Sequence, residues 1–578
     1  MLAYLEYFPV GRPTEMNTVN NGPTTHLKSL DTREKLGAWC KQWCIQNAGH
    51  VAFCFGFYMA MAKKGDQLEG YNYFQEMYHR QVGGRRRNES ESYLDASPKK
   101  SPHKIKASLF FLNVDERRVL GAIKIQKMEE IVFETKDALD WSYRSEGVVN
   151  LVLAYSGSSP TFLGKVMRIK KMRNTRNENG DRSGSCLTTQ EKLIWGEIKD
   201  LVSCQNKEIV DYLFVKHVMK PLLGHKYVTA GICLPVEKEF LESVKKIVTS
   251  QRHSWRANTL SVDTNRSFAL LMDDLTIFSH GQVEDHKPCL TVEIKPKCGF
   301  LSSSSFIAEE NVIKKSISRF EMYQVLKLRE NQISQISEYD PLDLFSGSKD
   351  RIHKAIKALY STPQNSLQVF LNGSLVFGGF RGGICKTTSK LELAFEHKLK
   401  DFFKTEDDCG LRANAFIELV AETVYASGAL DQLLEVQKLD KYNIEGAIHA
   451  YYDLVDQPCK ACQELESSKL SNQFGSMHSL PQDEKVNILK DFLISSTAID
   501  CSVMISFRPI ETGLSRSSSH GNIQLESTKQ EFEYKIHFID LDMRPLKRME
   551  AYHESDKKIT KTYQEMLKKK KGDQPRRF

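Results

Sequence analysis

Clustered and alternating apolar residues predict strands in three parts of the chain. In residues 141–171 the runs VVNLVLAY and FLGKVMRI are rich in Val, Leu and aromatic residues, and the sequence SGSSP separates them. Apolar runs bounded by Gly, Ser and Pro are typical of short strands joined by turns, so three strands are predicted here. Later strands are predicted at CSVMISF (501–507) and YKIHFIDLD (534–542).

Apolar residues recur with helical spacing between these strands. TTQEKLIWGEIKDLV (188–202) is predicted to be one helix, capped by Thr188 or Thr189. QLLEVQKLDKYNIEGAIHAYYDLV (432–455) is predicted to be helical with an interruption near Asn443, and VNILKDFLISSTA (486–498) to be an amphipathic helix. Dense regular structure is therefore expected after about residue 127.

Residues 292–300, VEIKPKCGF, alternate apolar and charged side chains. A strand with this period places Glu293, Lys295 and Lys297 on one face. Pro296 cannot donate to a strand ladder, so the strand is expected at a sheet edge or at the entrance of a site. The pattern alone leaves open whether the charged face meets solvent or a ligand.

Composition and charge narrow the ways in which the chain could bind an anion. The 578 residues are 40% hydrophobic and 27% charged, which is ordinary for a globular protein with room for several domains. The formal charge is +8, of which +6 belongs to residues 1–126 and +2 to the remainder. The larger part is no bulk polycation, so anion binding there requires a local pocket.

The two ends and the cysteines suggest where the protein works. Residues 1–126 are expected to be a poorly ordered extension that catalysis does not need, because its segment at 83–106 has the composition of a linker. Residues 561–578 form a basic tail that is either solvated or a targeting signal. Thirteen scattered cysteines, no secretory pattern and no membrane-length apolar run predict a cytoplasmic or nuclear setting.

A glycine turn and two aspartates are candidates for nucleotide chemistry. Gly147 stands between two predicted strands, where backbone amides can approach phosphates, although a single glycine is also found in ordinary turns. Lys165 or Arg168 on the next strand could face the same ligand. Asp500 and Asp540, at strand ends, fit a base and a metal ligand for phosphoryl transfer, or simply turn residues. No P-loop is predicted.

His449, Cys459, Cys462 and His478 form a second candidate constellation. Two Cys and two His complete a closed tetrahedral zinc site of the structural kind. The outer spacings are not those of a DNA-reading finger. A redox CxxC pair and a chance arrangement remain as alternatives.

A dispersed group of basic and polar side chains could hold an anion if the fold brings its members together. Three of them share one face if residues 544–553 are helical, and guanidinium groups suit bidentate phosphate contacts. Otherwise each basic member is a surface salt-bridge partner. The group comprises Arg256, Arg319, Lys327, Asn365, Arg544, Arg548 and Tyr552.

The segment 128–563 closely resembles plant inositol-pentakisphosphate 2-kinases. Glu293, Lys295 and Lys297 match the EXKPK signature of that family. Further matching stretches, in the same order, are YRSEGVVNLVLAY, SEYDPLDLFSGS, KALYSTPQN, LDKYNIEGAIHAYYDL and HFIDLDMRPLKRME.

The resemblance implies an α+β, two-lobed kinase-like fold. An antiparallel-sheet N-lobe would span 127–275, and a larger mixed C-lobe with a structural zinc site would span 276–560. The implied reaction transfers the γ-phosphate of ATP to the 2-hydroxyl of inositol 1,3,4,5,6-pentakisphosphate and gives inositol hexakisphosphate (phytate). ATP, Mg²⁺ and Zn²⁺ are the implied cofactors. A monomer that needs neither membrane nor nucleic acid is expected.

The resemblance also implies roles for individual residues. Asp500 would be the catalytic base, with Lys295 beside it. Nucleotide contacts would fall on Gly147, Val148, Val149, Asn150, Arg168, Asp273, Asp274, Leu275, Glu293 and Asp540, the last also binding magnesium. Substrate contacts would fall on Arg256, Lys295, Lys297, Arg319, Lys327, Asn365, Arg544, Arg548 and Tyr552. Zinc would be held by His449, Cys459, Cys462 and His478.

Some positions depart from the family pattern, and a second function is considered. Arg544 replaces a lysine and keeps its charge, whereas the other departures are Ser145, Asp273, Leu275 and Gln368, the last standing where a nucleotide-side arginine is expected. The alternative is a zinc-bearing nucleic-acid-binding or scaffold protein with an inactive kinase-like core. Salt-dependent RNA or DNA binding without turnover would favour it, whereas intact Asp500, Asp540 and Lys295 argue against it.

Overall fold

The strands predicted at 141–171 start a six-stranded antiparallel sheet, which confirms that prediction. Its strands are β1 (Trp141–Glu146), β2 (Asn150–Tyr155), β3 (Lys165–Arg173), β4 (Ile232–Pro235), β5 (Leu260–Val262) and β6 (Phe268–Asp273). The order is β1-β2-β3-β6-β4, and β5 pairs with the end of β3. Leu151, Leu153, Met167 and Ile169 are fully buried on β2 and β3, which accounts for the apolar runs.

The structure is a computed structural model that describes residues 133–147, 149–174, 186–278, 288–378, 387–404, 410–464, 472–510 and 520–572. These residues belong to one unit, Glu129–Phe578. The predictions for residues 1–126, for Val148 and for the end of the basic tail lie outside the described residues.

A second six-stranded antiparallel sheet contains the charged strand of the EXKPK motif. Its strands are β7 (Leu290–Ile294), β8 (Leu367–Leu371), β9 (Ser374–Gly378), β10 (Ser502–Pro509), β11 (Gly521–Gln524) and β12 (Glu531–Ile539). The order is β11-β12-β10-β7-β8-β9, so β7 is central and the predicted edge position is wrong. β7 ends at Ile294, and Pro296 follows the strand and so removes no hydrogen bond from the ladder. β10 and β12 confirm the two late strands.

Helices make up most of the rest of the described chain. They are α1 (Thr189–Ile194), α2 (Lys199–Ser203), α3 (Lys207–Phe214), α4 (Lys220–Leu223), α5 (Lys238–Thr249), α6 (Ser254–Thr259), α7 (Arg319–Arg329), α8 (Pro341–Leu344), α9 (Lys349–Ser361), α10 (Ser389–Lys398), α11 (Leu411–Ser427), α12 (Ala429–Gln437), α13 (Asn443–Leu454), α14 (Lys460–Gln463), α15 (Asn472–His478), α16 (Gln482–Asp500) and α17 (Met549–Gly572). Short 3₁₀ segments are Thr135–Asp140, Glu309–Lys315 and Leu546–Arg548, and Val215–Met219 is a π-helical turn. The helix predicted at 486–498 and the interrupted helix at 432–455 are confirmed as α16 and as α12 with α13.

Two predicted helices differ from the structure for local reasons. The helix at 188–202 is divided into α1 and α2, because a turn containing Gly196 interrupts it. Its start is as predicted, since the Thr188 hydroxyl accepts a hydrogen bond from the Glu191 amide at 3.1 Å. The helix at 544–553 begins only at Leu546, because Pro545 disfavours helical backbone in the residue before it. Arg544 therefore lies outside that helix, and the single face predicted for it is wrong.

The hydrophobic core fixes the helices that surround the site. Val292, Ile505, Phe416 and Leu489 belong to one large buried cluster on the second sheet. A smaller cluster joins α7 to α17 through Met322, Val325, Leu326, Ile559 and Tyr563. These contacts bring the polar ends of α7 and α17 to the same cavity. Among the described helices, none combines the length and apolar character needed to cross a bilayer.

Candidate active site

Lys295 lies at the junction of β7, β10 and the end of β12. Its Nζ is 2.9 Å from the Ser502 hydroxyl, 3.3 Å from Asp540 Oδ2 and 3.6 Å from Glu293 Oε1. Ser502 in turn donates to Glu293 Oε1 at 2.8 Å. Burial alone would lower the pKa of Lys295, but Glu293 and Asp540 together raise it. The amine is therefore a fixed cation held between two carboxylates.

Asp540 and Arg168 stand beside this lysine. Asp540 has a left-handed backbone, with φ of 60°, and its side chain is 47% exposed. Arg168 Nη2 lies 3.6 Å from Asp540 Oδ1, while the same guanidinium makes two closer contacts to Asp542. The structure thus brings together a half-exposed carboxylate and two cations at one edge of the second sheet.

The glycine turn is held by cations from two elements. Gly147 donates its amide to the Asn150 carbonyl at 3.0 Å, which closes the turn between β1 and β2. Arg256, predicted to contact substrate, donates to the carbonyls of Glu146 at 2.8 Å and Gly147 at 2.9 Å. Lys171 also donates to the Gly147 carbonyl, at 2.6 Å. Arg256 therefore holds the glycine turn, and it also lines the cavity described below.

The predicted hinge follows β6 and is fixed to both sheets. Asp273 pairs with Lys165, and Asp274 accepts from Arg144 at 2.8 Å. The Leu275 carbonyl accepts from Thr291 of β7 at 3.2 Å and from Ser506 of β10 at 2.6 Å. The backbone of the predicted hinge therefore connects the two sheets.

A cavity of about 770 Å³ lies beyond the end of β7, where Lys297 and Cys298 line it. Seven of the nine predicted substrate residues line it, and Lys295 and Arg544 do not. Two of its six cations are neutralised, because Lys314 pairs with Glu445 and Asp556 and Arg319 pairs with Asp556. The six cations are Arg256, Lys297, Lys314, Arg319, Lys327 and Arg548, against the three carboxylates of Asp440, Asp500 and Asp556.

Three of these cations have no acidic partner among the described residues: Lys297, Lys327 and Arg548. Lys327 lies over the Tyr323 ring at 4.8 Å, and Arg548 over the Tyr552 ring at 5.6 Å. The Tyr552 hydroxyl is buried and has no hydrogen-bond partner within the described chain. Two half-buried lysines, an exposed arginine and an unpaired buried hydroxyl around one cavity are expected where an anion binds.

Lys297 does not share a strand face with Lys295, contrary to the prediction. It lies beyond the end of β7 with φ of 65°, and Gln437 holds this turn by donating to the Lys297 carbonyl at 2.9 Å and accepting from the Gly299 amide at 2.8 Å. The turn directs Lys297 into the cavity. Burial there lowers its pKa to about 8.

Asp500 is the last residue of α16 and lines the cavity with a side chain that is 54% exposed. Its Oδ2 lies 3.2 Å from Arg544 Nη2. Arg544 is therefore close to the site without lining the cavity, because it contacts the proposed base. The predicted base therefore lies at the wall of the cavity, next to Arg544.

Comparisons with known proteins identify the family. The family described as inositol-pentakisphosphate 2-kinase matches residues 143–558. An inositol-pentakisphosphate 2-kinase of Arabidopsis thaliana is 52% identical over 436 residues, which cover 75% of this chain and 95% of the relative. A relative of the same description from Oryza sativa subsp. japonica is 44% identical with the same coverage, and one from Danio rerio is 28% identical over 74% of this chain and 93% of its own length.

The chain belongs to the inositol-pentakisphosphate 2-kinase family.

In this family member the four predicted metal ligands lie together. The ligand atoms of His449, Cys459, Cys462 and His478 are all within 4.8 Å of one another. His449 Nδ1 is 3.3 Å from both sulfur atoms, and His478 Nε2 is 3.2 Å from Cys462 Sγ. These separations suit a tetrahedral ion with bonds of about 2.0–2.3 Å.

The surroundings of the cluster also suit a metal. Asp453 Oδ1 lies 2.8 Å from His478 Nδ1, which leaves Nε2 of that ring turned to the cluster. Lys485 donates to the His478 carbonyl at 2.7 Å and pairs with Asp453. Burial lowers the pKa of His449 to about 4, so the imidazole is neutral near pH 7, as ligation requires.

Several residues at this kinase site escaped the sequence reasoning. Ser502 and Gln437 bind site residues, yet no spacing rule singles them out. Gln368 lies opposite Glu293 across the β7–β8 ladder. Only Ser502 had a usable signal, since it follows Asp500 by two residues at the start of a predicted strand.

Proposed function

We propose that this enzyme transfers the γ-phosphate of ATP to the 2-hydroxyl of inositol 1,3,4,5,6-pentakisphosphate and forms inositol hexakisphosphate. The observation that carries this conclusion is the cavity in which Lys297, Lys327 and Arg548 lack acidic partners beside Asp500. A pentakisphosphate bears on the order of ten negative charges near neutral pH, taking about two per phosphate. Such a ligand needs converging cations in a partly dry pocket.

Asp500 is the proposed base. Its exposed carboxylate would accept the proton of the attacking hydroxyl, and Arg544, 3.2 Å away, would hold the carboxylate in that direction. Lys295 would stabilise charge on the transferring phosphoryl group, because it is already fixed as a cation beside Asp540. Lys297, which faces the cavity, would hold a ring phosphate.

The nucleotide is proposed to lie between the glycine turn and the predicted hinge. Arg168 would contact its phosphates, Glu293 would line the same site beside Lys295, and Asp540 would hold magnesium. Asp540 fits that role, because it is half exposed and lies 3.6 Å from Arg168 and 3.3 Å from Lys295. Magnesium bound with ATP neutralises charge on the phosphate oxygens.

We also propose that the two sheets belong to the two lobes of a kinase-like fold. The first sheet and the residues up to Leu275 would form the N-lobe, and residues 276–560 the C-lobe. The backbone at Leu275, bonded to Thr291 of β7 and Ser506 of β10 directly after β6, supports this division.

Zinc is the proposed occupant of the His449–His478 cluster. Two thiolates and two imidazoles at these separations match its preferred ligands and leave no open position for chemistry. The site would therefore stabilise α13, α14 and α15. The scaffold alternative is not favoured, because the family match and the curated relatives are inositol-pentakisphosphate 2-kinases and Asp500, Asp540 and Lys295 are intact. A monomer in the cytoplasm or nucleus remains our proposal.

One assay tests the proposed reaction. Purified protein is incubated with ATP, magnesium and inositol 1,3,4,5,6-pentakisphosphate, and the product is separated by charge. We expect a single product with one more phosphate at the 2-position. Absence of turnover in folded, metal-replete protein, together with salt-dependent RNA binding, would support the scaffold alternative.

Lys297→Ala is expected to weaken binding of inositol pentakisphosphate about 10- to 100-fold, because a hydrogen bond to a charged group contributes about 1.5–3 kcal/mol. ATP affinity should stay within about twofold, since Lys297 faces the substrate cavity. Calorimetry with each ligand measures both affinities. Lys315→Ala is the matched control, because Lys315 is exposed and does not line the cavity. Unchanged pentakisphosphate affinity in Lys297→Ala would reject the phosphate contact.

The same residue predicts a pH dependence. Burial lowers the pKa of Lys297 to about 8 in the free protein, and bound phosphates would raise it. The lysine is already charged below pH 8, so affinity there is unaffected by its titration. Above pH 8 binding must be coupled to proton uptake, and affinity falls as pH rises. Calorimetry in buffers of different ionisation enthalpy should show this uptake at pH 8.5, reduced in Lys297→Ala.

A further inference from the structure

The carboxylate of Asp542 accepts four hydrogen bonds from side chains of the first sheet. Its Oδ1 accepts from Arg168 Nη1 at 2.8 Å. Its Oδ2 accepts from Arg168 Nη2 at 3.0 Å, from Lys170 Nζ at 3.0 Å and from the Asn150 amide at 3.2 Å. The donors come from β2 and β3 of the first sheet, whereas Asp542 follows β12 of the second. One carboxylate therefore joins the two sheets directly beside Asp540.

Asp211 holds the backbone next to Asp542 in place through Met543. Asp211 of α3 pairs with Lys170 at 2.7 Å and accepts from the Met543 amide at 3.2 Å. Asp542 is less exposed than Asp540, with 25% of its side chain accessible against 47%. Its oxygens are occupied by four protein hydrogen bonds, so Asp540 is the carboxylate left open to a ligand.

The bidentate contact also decides where Arg168 points. Both guanidinium nitrogens that bind Asp542 are directed toward the second sheet, and Nη2 stays 3.6 Å from Asp540. A guanidinium without this fork would be free to close on Asp540, because that carboxylate is its nearest other anion. Arg168 would then occupy the group proposed to hold magnesium.

We propose that Asp542 is a positioning residue that holds Arg168 ready for the nucleotide phosphates and keeps it off Asp540. The proposal rests on the proposed function, in which Arg168 contacts ATP and Asp540 holds the metal. Asp542 itself touches neither nucleotide nor metal. It acts through Arg168, and Lys170 and Asn150 keep its carboxylate oriented.

A double-mutant cycle tests this role. Binding of a non-hydrolysable ATP analogue is measured by calorimetry at saturating and at limiting magnesium for wild type, Asp542→Asn, Arg168→Met and the double variant. Asp542→Asn is expected to raise Kd for the analogue about tenfold, because interacting pairs in one network show coupling of this size. In the Arg168→Met background the same change should raise Kd less than about twofold. Affinity for inositol pentakisphosphate should stay near wild type.

Two further variants separate positioning from folding. Asp542→Glu keeps the carboxylate and should restore nucleotide Kd to within about threefold of wild type, which a lost cavity or a purely structural role would not produce. Asp211→Asn removes a carboxylate of the same network that contacts Lys170 but not Arg168, and should change Kd less than about threefold. An equal effect of Asp211→Asn would assign the phenotype to Lys170 and overturn the role of Arg168.

The outcomes also distinguish this inference from the function on which it rests. Equal effects of Asp542→Asn in both backgrounds would make Asp542 a direct ligand of nucleotide or magnesium and overturn the positioning role alone. An unchanged Kd for the nucleotide analogue in Asp542→Asn would also overturn the positioning role and leave the proposed function standing. A wild-type protein that binds no nucleotide would overturn the proposed function together with this inference.

Discussion

Asp500→Asn should reduce turnover by roughly 100-fold or more while both ligands still bind. The change removes the proposed proton acceptor but keeps the size of the side chain, so the loss should fall on the transition state. Asp500 ends α16 and, among the residues that the structure describes, its ion pair is with Arg544 at 3.2 Å, so the variant should fold normally. Single-turnover rates, with separate affinities for ATP and inositol pentakisphosphate, measure the effect.

Asp540→Asn is the matched control for that variant. It removes the same charge from a neighbouring aspartate, but it should weaken magnesium-dependent nucleotide binding, and excess magnesium should partly restore the rate. The two variants should therefore separate in a magnesium series. Near-normal turnover in Asp500→Asn would show that another group takes the proton, and an unchanged magnesium dependence in Asp540→Asn would place the metal elsewhere.

Cys459→Ser should lower the free energy of unfolding by at least about 4 kcal/mol, because loss of a structural metal is among the few single changes with effects of that size. Elemental analysis of wild-type protein should find about one zinc per chain, as expected for one closed four-ligand site. The rate of the chemical step per folded molecule should change little, since the cluster has no open position. Thermal unfolding followed by single-turnover kinetics tests both statements.

Cys204→Ser provides the comparison for the zinc variant. Cys204 is a half-buried free thiol outside the cluster, where the same substitution should change stability by less than about 1 kcal/mol. Chelation should destabilise wild type and the Cys204 variant equally and leave Cys459→Ser nearly unaffected. Protein purified without chelators that contained no metal would remove the basis for this site.

Sequence patterns were sufficient to predict the parts of the site whose residues lie close together in the sequence. The metal ligands were predictable because two Cys and two His are a recognisable zinc set, and the structure places all four within 4.8 Å. The strands around Gly147 were predictable because buried apolar residues are concentrated in them. Arg544 was misplaced because the pattern at i, i+4 and i+8 ignored Pro545.

Long-range placement was not predictable from spacing. Lys297 belongs to the cavity because Gln437, which is 140 residues away in sequence, holds its turn. Asp542 binds Arg168 across 374 residues, and no periodicity connects them. The substrate residues were predicted from family resemblance, and seven of the nine line one cavity in the structure. The interpretation of Lys295 and Lys297 as one strand face was wrong because β7 ends at Ile294 and the backbone turns at Lys297, where φ is 65°.

Lys297 and Asp540 both have a left-handed backbone, which lowers the stability of the fold, while their side chains serve the proposed activity. A non-glycine residue in this region costs about 1–2 kcal/mol, whereas glycine adopts it freely. Only the amine of one residue and the carboxylate of the other give a reason to keep these side chains there. A screen of variants for thermal stability alone should therefore enrich glycine at both positions, and the proteins it selects would be robust but inactive.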